Sequence, residues 1–228
     1  MPILVAELPK LLPHYVLAFL LAEKFRPIAI LGLSDNQNSY VGVDGRWMCE
    51  YAPAAVRSYP FEIADAGQGE KVLCILEQYL SAQEYGKGHR LFDNDGALNS
   101  SVQEIFEFLQ TCDKERGATD TAVNLLEEAG LLEKWELGAV LPDSKEELLI
   151  SGLYRINESK LFSLDAEIFA DLRRYGAIQL AYAQLFSMAQ VPNLCRRVEH
   201  QANETAQSSV TSEFILSSNN STINFDLL

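Results

Sequence analysis

Two apolar runs dominate the first third of the chain. Tyr15–Ala22 and Pro27–Leu33 stand either side of Glu23-Lys24-Phe25-Arg26. Their lengths and charged flanks predict two adjacent buried strands joined as a hairpin. Ahead of them, Leu4, Leu8, Leu11 and Leu12 fall near one face of a short helix within residues 2–14, interrupted by Pro9 and Pro13. Behind them, Ser34–Asn38 is a polar loop, and Ser39–Val43 and Arg46–Tyr51 read as strands about an Asp44-Gly45 turn. Pro53 is suited to open a helix over Ala54–Tyr59, which Pro60 ends. Phe61–Ala64 and Lys71–Gln78, joined through Gly67 and Gly69, predict a further hairpin, the second arm apolar enough for a central strand. Residues 79–100 are loop-rich.

The period then lengthens. Val102, Ile105, Phe106, Leu109 and Cys112 recur at helical spacing after a capping box of Ser101 and Glu104. Arg116-Gly117 is read as the end of that helix. A second helix starts near Asp120, buries Val123, Leu126 and Ala129, and stops at Gly130 with Leu131 or Leu132 folding back. Leu137–Leu141 and Glu147–Ile156 predict a hairpin that returns to the sheet. A third helix follows Leu164 and breaks at Gly176. Ala177–Gln190 is apolar on most faces, which predicts a core helix. Pro192 kinks or ends it, and Asn193–Gln201 continues as a polar helical piece.

This order predicts an α+β fold: a mostly antiparallel sheet, drawn from the first 80 residues and the 137–156 hairpin, packed against helices from the second half of the chain. Strands followed by helices, a hairpin and more helices do not make a repeating βαβ pattern. Residues 1–202 form a single domain on this reading. Residues 203–228 form a polar tail, mobile over 203–221, whose apolar end (Ile223 to Leu228) is able to dock as a strand.

Charge narrows the function classes. The 228 residues carry 18 basic and 32 acidic side chains, a formal charge of −14. Such a surplus repels phosphate backbones and anionic membrane surfaces, which argues against nucleic-acid binding. The longest apolar run, Tyr15–Ala22, is far short of the ~20 residues that span a bilayer. The N-terminus has Glu7 before its first lysine, unlike a signal peptide, so a cytoplasmic location is expected. Cys49, Cys74, Cys112 and Cys195 are widely spaced and form no C-x-x-C pair, so they read as small buried hydrophobes in a reducing compartment.

Candidate chemistry is sparse. Asp93-Asn94-Asp95-Gly96 has its glycine fourth, whereas a calcium loop needs it sixth, so a polar turn before a helix is the better reading. His89 lies in Gly86-Lys87-Gly88-His89-Arg90, a candidate general base or phosphate contact without a Walker or G-x-G-x-x-G context. No G-x-S-x-G elbow is present. Glu127-Glu128 and Glu146-Glu147 are adjacent and so do not share a face. No catalytic residue, metal site or cofactor is assigned.

The densest segment is Phe25–Phe61. Arg46, Trp47, Tyr51, Arg57 and Tyr59 fall close together there, and Tyr, Trp and Arg are the types that dominate binding hot spots. The alternative is that Trp47 and the tyrosines edge the core while the arginines neutralise local acids. From Leu31 to Phe61 the pattern L-G-L, N-x-Y-V, D-G-R-W, Y-x-P-A and R-x-Y-P-F resembles the SapC family of bacterial proteins. The likeness continues in Val72–Ile75, in Leu91-Phe92-Asp93 with Gly96, in Ile150–Ile156 with Glu158, Lys160 and Leu161, and in Gly176–Ala183 with Leu185, Ser187 and Gln190. Relatives usually carry extra residues ahead of the segment that here begins at Met1.

That resemblance implies an association with a bacterial surface layer. It also implies a gene encoded near those of TonB-dependent receptors and of proteins similar to flavin-dependent tryptophan halogenases. It brings no established catalytic residues. Three functions compete: a non-catalytic accessory or binding module with a protein partner, an enzyme or small-molecule binder beside a halogenase-like partner, and a structural surface-layer protein. The first is preferred. Asn38, Arg46, Trp47, Tyr51, Arg57, Tyr59, His89, Asp93 and Arg155 are the candidate binding residues, and the second function requires them to converge on one pocket.

Overall fold

The computed structural model describes the backbone of residues 1–80 and 90–218, and side chains in those segments as far as Thr205. A 3-10 turn over Val5–Glu7 leads into α1 (Leu8–Leu11). The first predicted hairpin follows as β1 (Val16–Leu21) and β2 (Phe25–Ile30), antiparallel with Val16 opposite Ile30 and Leu21 opposite Phe25. The return hairpin is β5 (Leu132–Val140) and β6 (Glu147–Ile156). These four strands make one antiparallel sheet in the order β2-β1-β6-β5. On β5 the strand period is plain: Trp135, Leu137 and Ala139 are buried while Glu136, Gly138 and Val140 are exposed. Val16 to Phe19 of β1 are buried without alternation, as expected of a strand covered on both faces.

Helices supply the other layer. Helix α3 (Ser100–Glu128) runs 29 residues and lies against β2 and β3 (Phe61–Gly67). Helix α6 (Ala177–Ser187) packs on β1 and β6. It is followed, through a 3-10 turn over Met188–Gln190, by α7 (Val191–Ser218). The predicted core helix is therefore present, though Phe186 leaves it for solvent. Between β6 and α6 along the chain come α4 (Glu158–Phe162) and α5 (Ala166–Leu172). α4 has no counterpart in the sequence reading. Gly130 takes φ +62° and lets Leu131 N–H reach Leu126 C=O at 2.9 Å, the left-handed helix stop that the sequence predicted.

Several expectations need correction. α3 does not end at Arg116-Gly117. Glycine costs about 1 kcal/mol inside a helix, but Leu109, Cys112, Thr119, Val123 and Leu126 stay buried on either side of it. That continuous buried face outweighs the weak residue. The helix is capped by Asn99, whose side chain accepts from Ser101 N–H at 3.1 Å, rather than by a Ser101–Glu104 box.

The segments Ser39–Val43 and Arg46–Tyr51 are not strands; a single bridge joins Val41 to Trp47. Side chains of α7 take up backbone groups that a ladder would use. Gln201 donates to Asn38 and Val41 carbonyls at 2.6 and 3.2 Å, and Arg197 donates to Met48 C=O at 3.1 Å. The Lys71–Gln78 arm is not central. β4 (Glu70–Ile75) pairs only with β3 in a separate ribbon, and its outward face exposes Glu70, Val72 and Cys74. Cys74 is thus exposed and Cys49 half-buried, while Cys112 and Cys195 are buried as expected. The polar stretch from 203 is helical through Ser218 rather than irregular. The apolar end expected to dock, Ile223 to Leu228, lies outside the described residues.

Candidate functional site

The opening segment of the chain meets the Pro53 helix, α2 (Ala54–Arg57), at a buried carboxylate. Glu7 is 6% exposed. One carboxylate oxygen accepts the Leu4 N–H of its own turn at 3.0 Å. The other accepts the Ala54 N–H at 2.6 Å and the Tyr51 hydroxyl at 2.9 Å. Ala54 N–H is an orphan donor of a helix start, and Pro53 contributes no donor beside it. A carboxylate there satisfies the donor and complements the positive end of the helix.

Arg57 completes the arrangement. It donates to the Tyr51 hydroxyl at 3.0 Å and lies 5.2 Å from the centroid of that ring and 4.5 Å from that of Phe108. Lys10 sits 5.4 Å from the same Tyr51 ring. The Tyr51 phenol therefore relays between an acid and a guanidinium.

A second cluster adjoins it. Tyr15 stacks on Tyr40 with centroids 4.6 Å apart, and Tyr40 on Trp47 at 5.8 Å. The Tyr15 hydroxyl donates to Tyr51 C=O. Trp47 Nε1–H is shared between the Tyr15 oxygen at 3.1 Å and Tyr51 C=O at 3.2 Å. Tyr40 donates to His14 C=O at 2.9 Å, and the Arg197 guanidinium lies 4.7 Å from the Tyr40 ring centroid. Trp47 and Tyr51 hence edge the core, as the alternative reading of this segment expected.

Burial suppresses the ionisation of these phenols and so raises their pKa. It holds Tyr15 and Tyr40 far above the ordinary range. Tyr51 is pushed up to about 12, by burial first and then by its bond to the Glu7 carboxylate. A phenol raised in the fold stabilises it fully below the unfolded value of about 10. That contribution declines as pH rises from there towards about 12. Alkaline titration of unfolding should show stability falling over this window. Tyr51→Phe should remove part of the slope and leave the rest to Tyr15 and Tyr40. An unchanged slope would count against this assignment.

The remaining candidates do not join the Glu7–Tyr51–Arg57 arrangement. Asn38 turns its side chain onto Tyr40 N–H at 3.0 Å. Arg46 sits exposed beside Asp44 at the turn. Tyr59 is exposed, its hydroxyl 2.6 Å from that of Tyr79. Asp93 accepts from Asn99 Nδ2 at 3.1 Å within a closed turn. Arg155 donates to Glu133 at 2.8 Å on the β5–β6 pair. His89 lies outside the described residues. Tyr51 and Arg57 are brought together; Asn38, Asp93 and Arg155 are each engaged by different partners.

Among the described residues no group of three His, Cys, Asp or Glu is placed to hold a metal ion. Likewise, no described helix is long and apolar enough to cross a membrane. Sequence reasoning missed Glu7, Arg197 and Gln201. A lone carboxylate between Val5 and Leu8 was the signal available for the first. Nothing local marks the other two, whose partners are more than a hundred residues away.

No curated protein and no solved structure matched the chain. A model of the SapC family matches residues 1–194, from the first residue to the start of α7. The chain belongs to the SapC family.

Proposed function

We propose that this chain is a non-catalytic binding module with a protein partner, serving a bacterial surface-layer or TonB-dependent uptake system. The observation that carries it is the exposed aromatic pair just beyond the end of the β3–β4 ribbon where Phe61 faces Ile75. Tyr59 and Tyr79 are 54% and 51% exposed, with rings edge to face at 5.3 Å. Val72 of β4, Leu76 and Leu80 are further exposed apolar residues of the ribbon and the turn that follows it. Rigid tyrosines offer a partner large contact area at low entropic cost. The link to surface layers and uptake is supported by the family's associations.

Affinity capture with the native chain should retain a stable partner that a Tyr59→Ser, Tyr79→Ser double variant loses, with thermal unfolding unchanged. Trp47→Ala is a poorer probe, because Trp47 is hydrogen-bonded into the core edge. Equal recovery by the double variant would rule out this surface as the interface.

A further inference from the structure

A cavity of about 400 Å³ opens where the N-terminal segment, β2, α2, β3 and α3 meet. This lies within the size range of small-molecule sites. Its walls mix apolar and polar groups, with Ile3, Pro27, Ala54, Phe61, Ile63 and Leu109 on the apolar side. Cys112 is part of the same wall, its thiol pushed up by burial and so kept neutral.

Polar groups on the lining sort into two sets. Glu7 is taken up by its three donors. Asp120 is paired with Lys24, and Thr119 accepts from Val5 N–H while donating to Glu115 C=O. By contrast, Arg26 of β2 and Arg116 of α3 form no salt bridge among the described residues, although Glu62 lines the same cavity. Ser58 is 8% exposed, yet its hydroxyl has no hydrogen-bond partner among the described residues. Among the described residues no buried polar side-chain atom is left unsatisfied, and Ser58 is one of the residues that line the cavity.

We propose that the cavity binds a small carboxylic acid with an aryl or branched alkyl body. The body occupies the apolar walls, the carboxylate lies towards Arg26 and Arg116, and Ser58 takes a further polar group near it. Arginine offers a planar fork to a carboxylate, and charge-assisted bonds are the strong ones. An acid is favoured over an amine because the acids on the lining are mostly engaged and the arginines are not. Tyr59 is common to this lining and to the Tyr59–Tyr79 partner surface, whereas Tyr79 is not part of the lining.

The probes are phenylpropanoate, phenyllactate and uncharged phenylpropanamide, titrated into the whole chain and followed by calorimetry and amide shifts. Both acids should bind saturably, with shifts centred on Ile63, Leu109 and Cys112. The amide should bind at least about tenfold more weakly, as should the acids to an Arg26→Gln, Arg116→Gln double variant. Phenyllactate should exceed phenylpropanoate, and Ser58→Ala should erase the difference. Binding of the amide as tight as that of the acids overturns the proposal. So does unchanged affinity in the arginine variant, or no saturable binding by either acid in the millimolar range.

Discussion

Glu7→Ala is expected to lower the unfolding free energy by about 2–4 kcal/mol, since each buried donor left without an acceptor costs about 1–3 kcal/mol. Three donors converge on this carboxylate: Leu4 N–H, Ala54 N–H and the Tyr51 hydroxyl. The loss falls at or just below the low end of that sum because Glu7 borders the 400 Å³ cavity, from which water can reach the abandoned groups. Two further variants make the argument testable. Glu7→Gln keeps one acceptor for Ala54 and Tyr51 but turns an amide donor towards Leu4, so a loss of about 1–2 kcal/mol is expected. Tyr51→Phe removes two bonds, the one donated to Glu7 and the exposed one accepted from Arg57, and leaves the Ala54 N–H satisfied, for about 1 kcal/mol. Urea unfolding with a constant slope should rank the three in that order. Equal losses for Glu7→Ala and Tyr51→Phe would mean that the carboxylate does not hold α2 to the N-terminal turn.

This clamp shows where sequence reading stopped. The β1–β2 and β5–β6 hairpins were legible because their signals are local: apolar runs of strand length, bounded by charged or turn residues. The Gly130 stop was legible for the same reason. The segment 39–51 was misread because an Asp-Gly turn between Tyr- and Trp-containing arms looks like a hairpin on any local criterion. Its backbone is instead engaged by Gln201 and Arg197, from the far end of the chain. The continuous α3 shows the opposite failure. A local break signal at Gly117 lost to a buried face running from Leu109 to Leu126.

The candidate site divides along the same line. Arg46, Trp47, Tyr51, Arg57 and Tyr59 were singled out together by composition, and the fold separates them by role. Tyr51 bonds to Glu7 and Arg57 to Tyr51, Trp47 closes an aromatic stack, and Tyr59 faces solvent. Residue types that serve recognition also serve a half-buried core edge, so only placement distinguishes them.

Gln184→Leu is expected to cost about 2–4 kcal/mol, and the reason lies in how the sheet is joined. β1 pairs with β6 at only two positions, Phe19 with Tyr154 and Leu20 with Leu153. Elsewhere the join is made by α6. Gln184 accepts Ile156 N–H at 2.8 Å and donates to Leu17 C=O at 3.3 Å. Ser187 accepts Leu17 N–H at 2.9 Å and donates back to Gln184 C=O at 2.6 Å. All four residues are buried, so a leucine at 184 fills the space while stranding one donor and one acceptor. Ser187→Ala strands only Leu17 N–H, for about 1–2 kcal/mol. Because the two side chains share Leu17 and bond to each other, the double variant should lose less than the sum. Hydrogen exchange locates the effect. Ile156 N–H should lose protection in Gln184→Leu and Leu17 N–H in Ser187→Ala, while the β1–β2 ladder stays protected. Uniform loss across all strands would instead indicate plain core damage. A selective loss would establish that a helix, rather than a strand ladder, couples the two halves of the sheet.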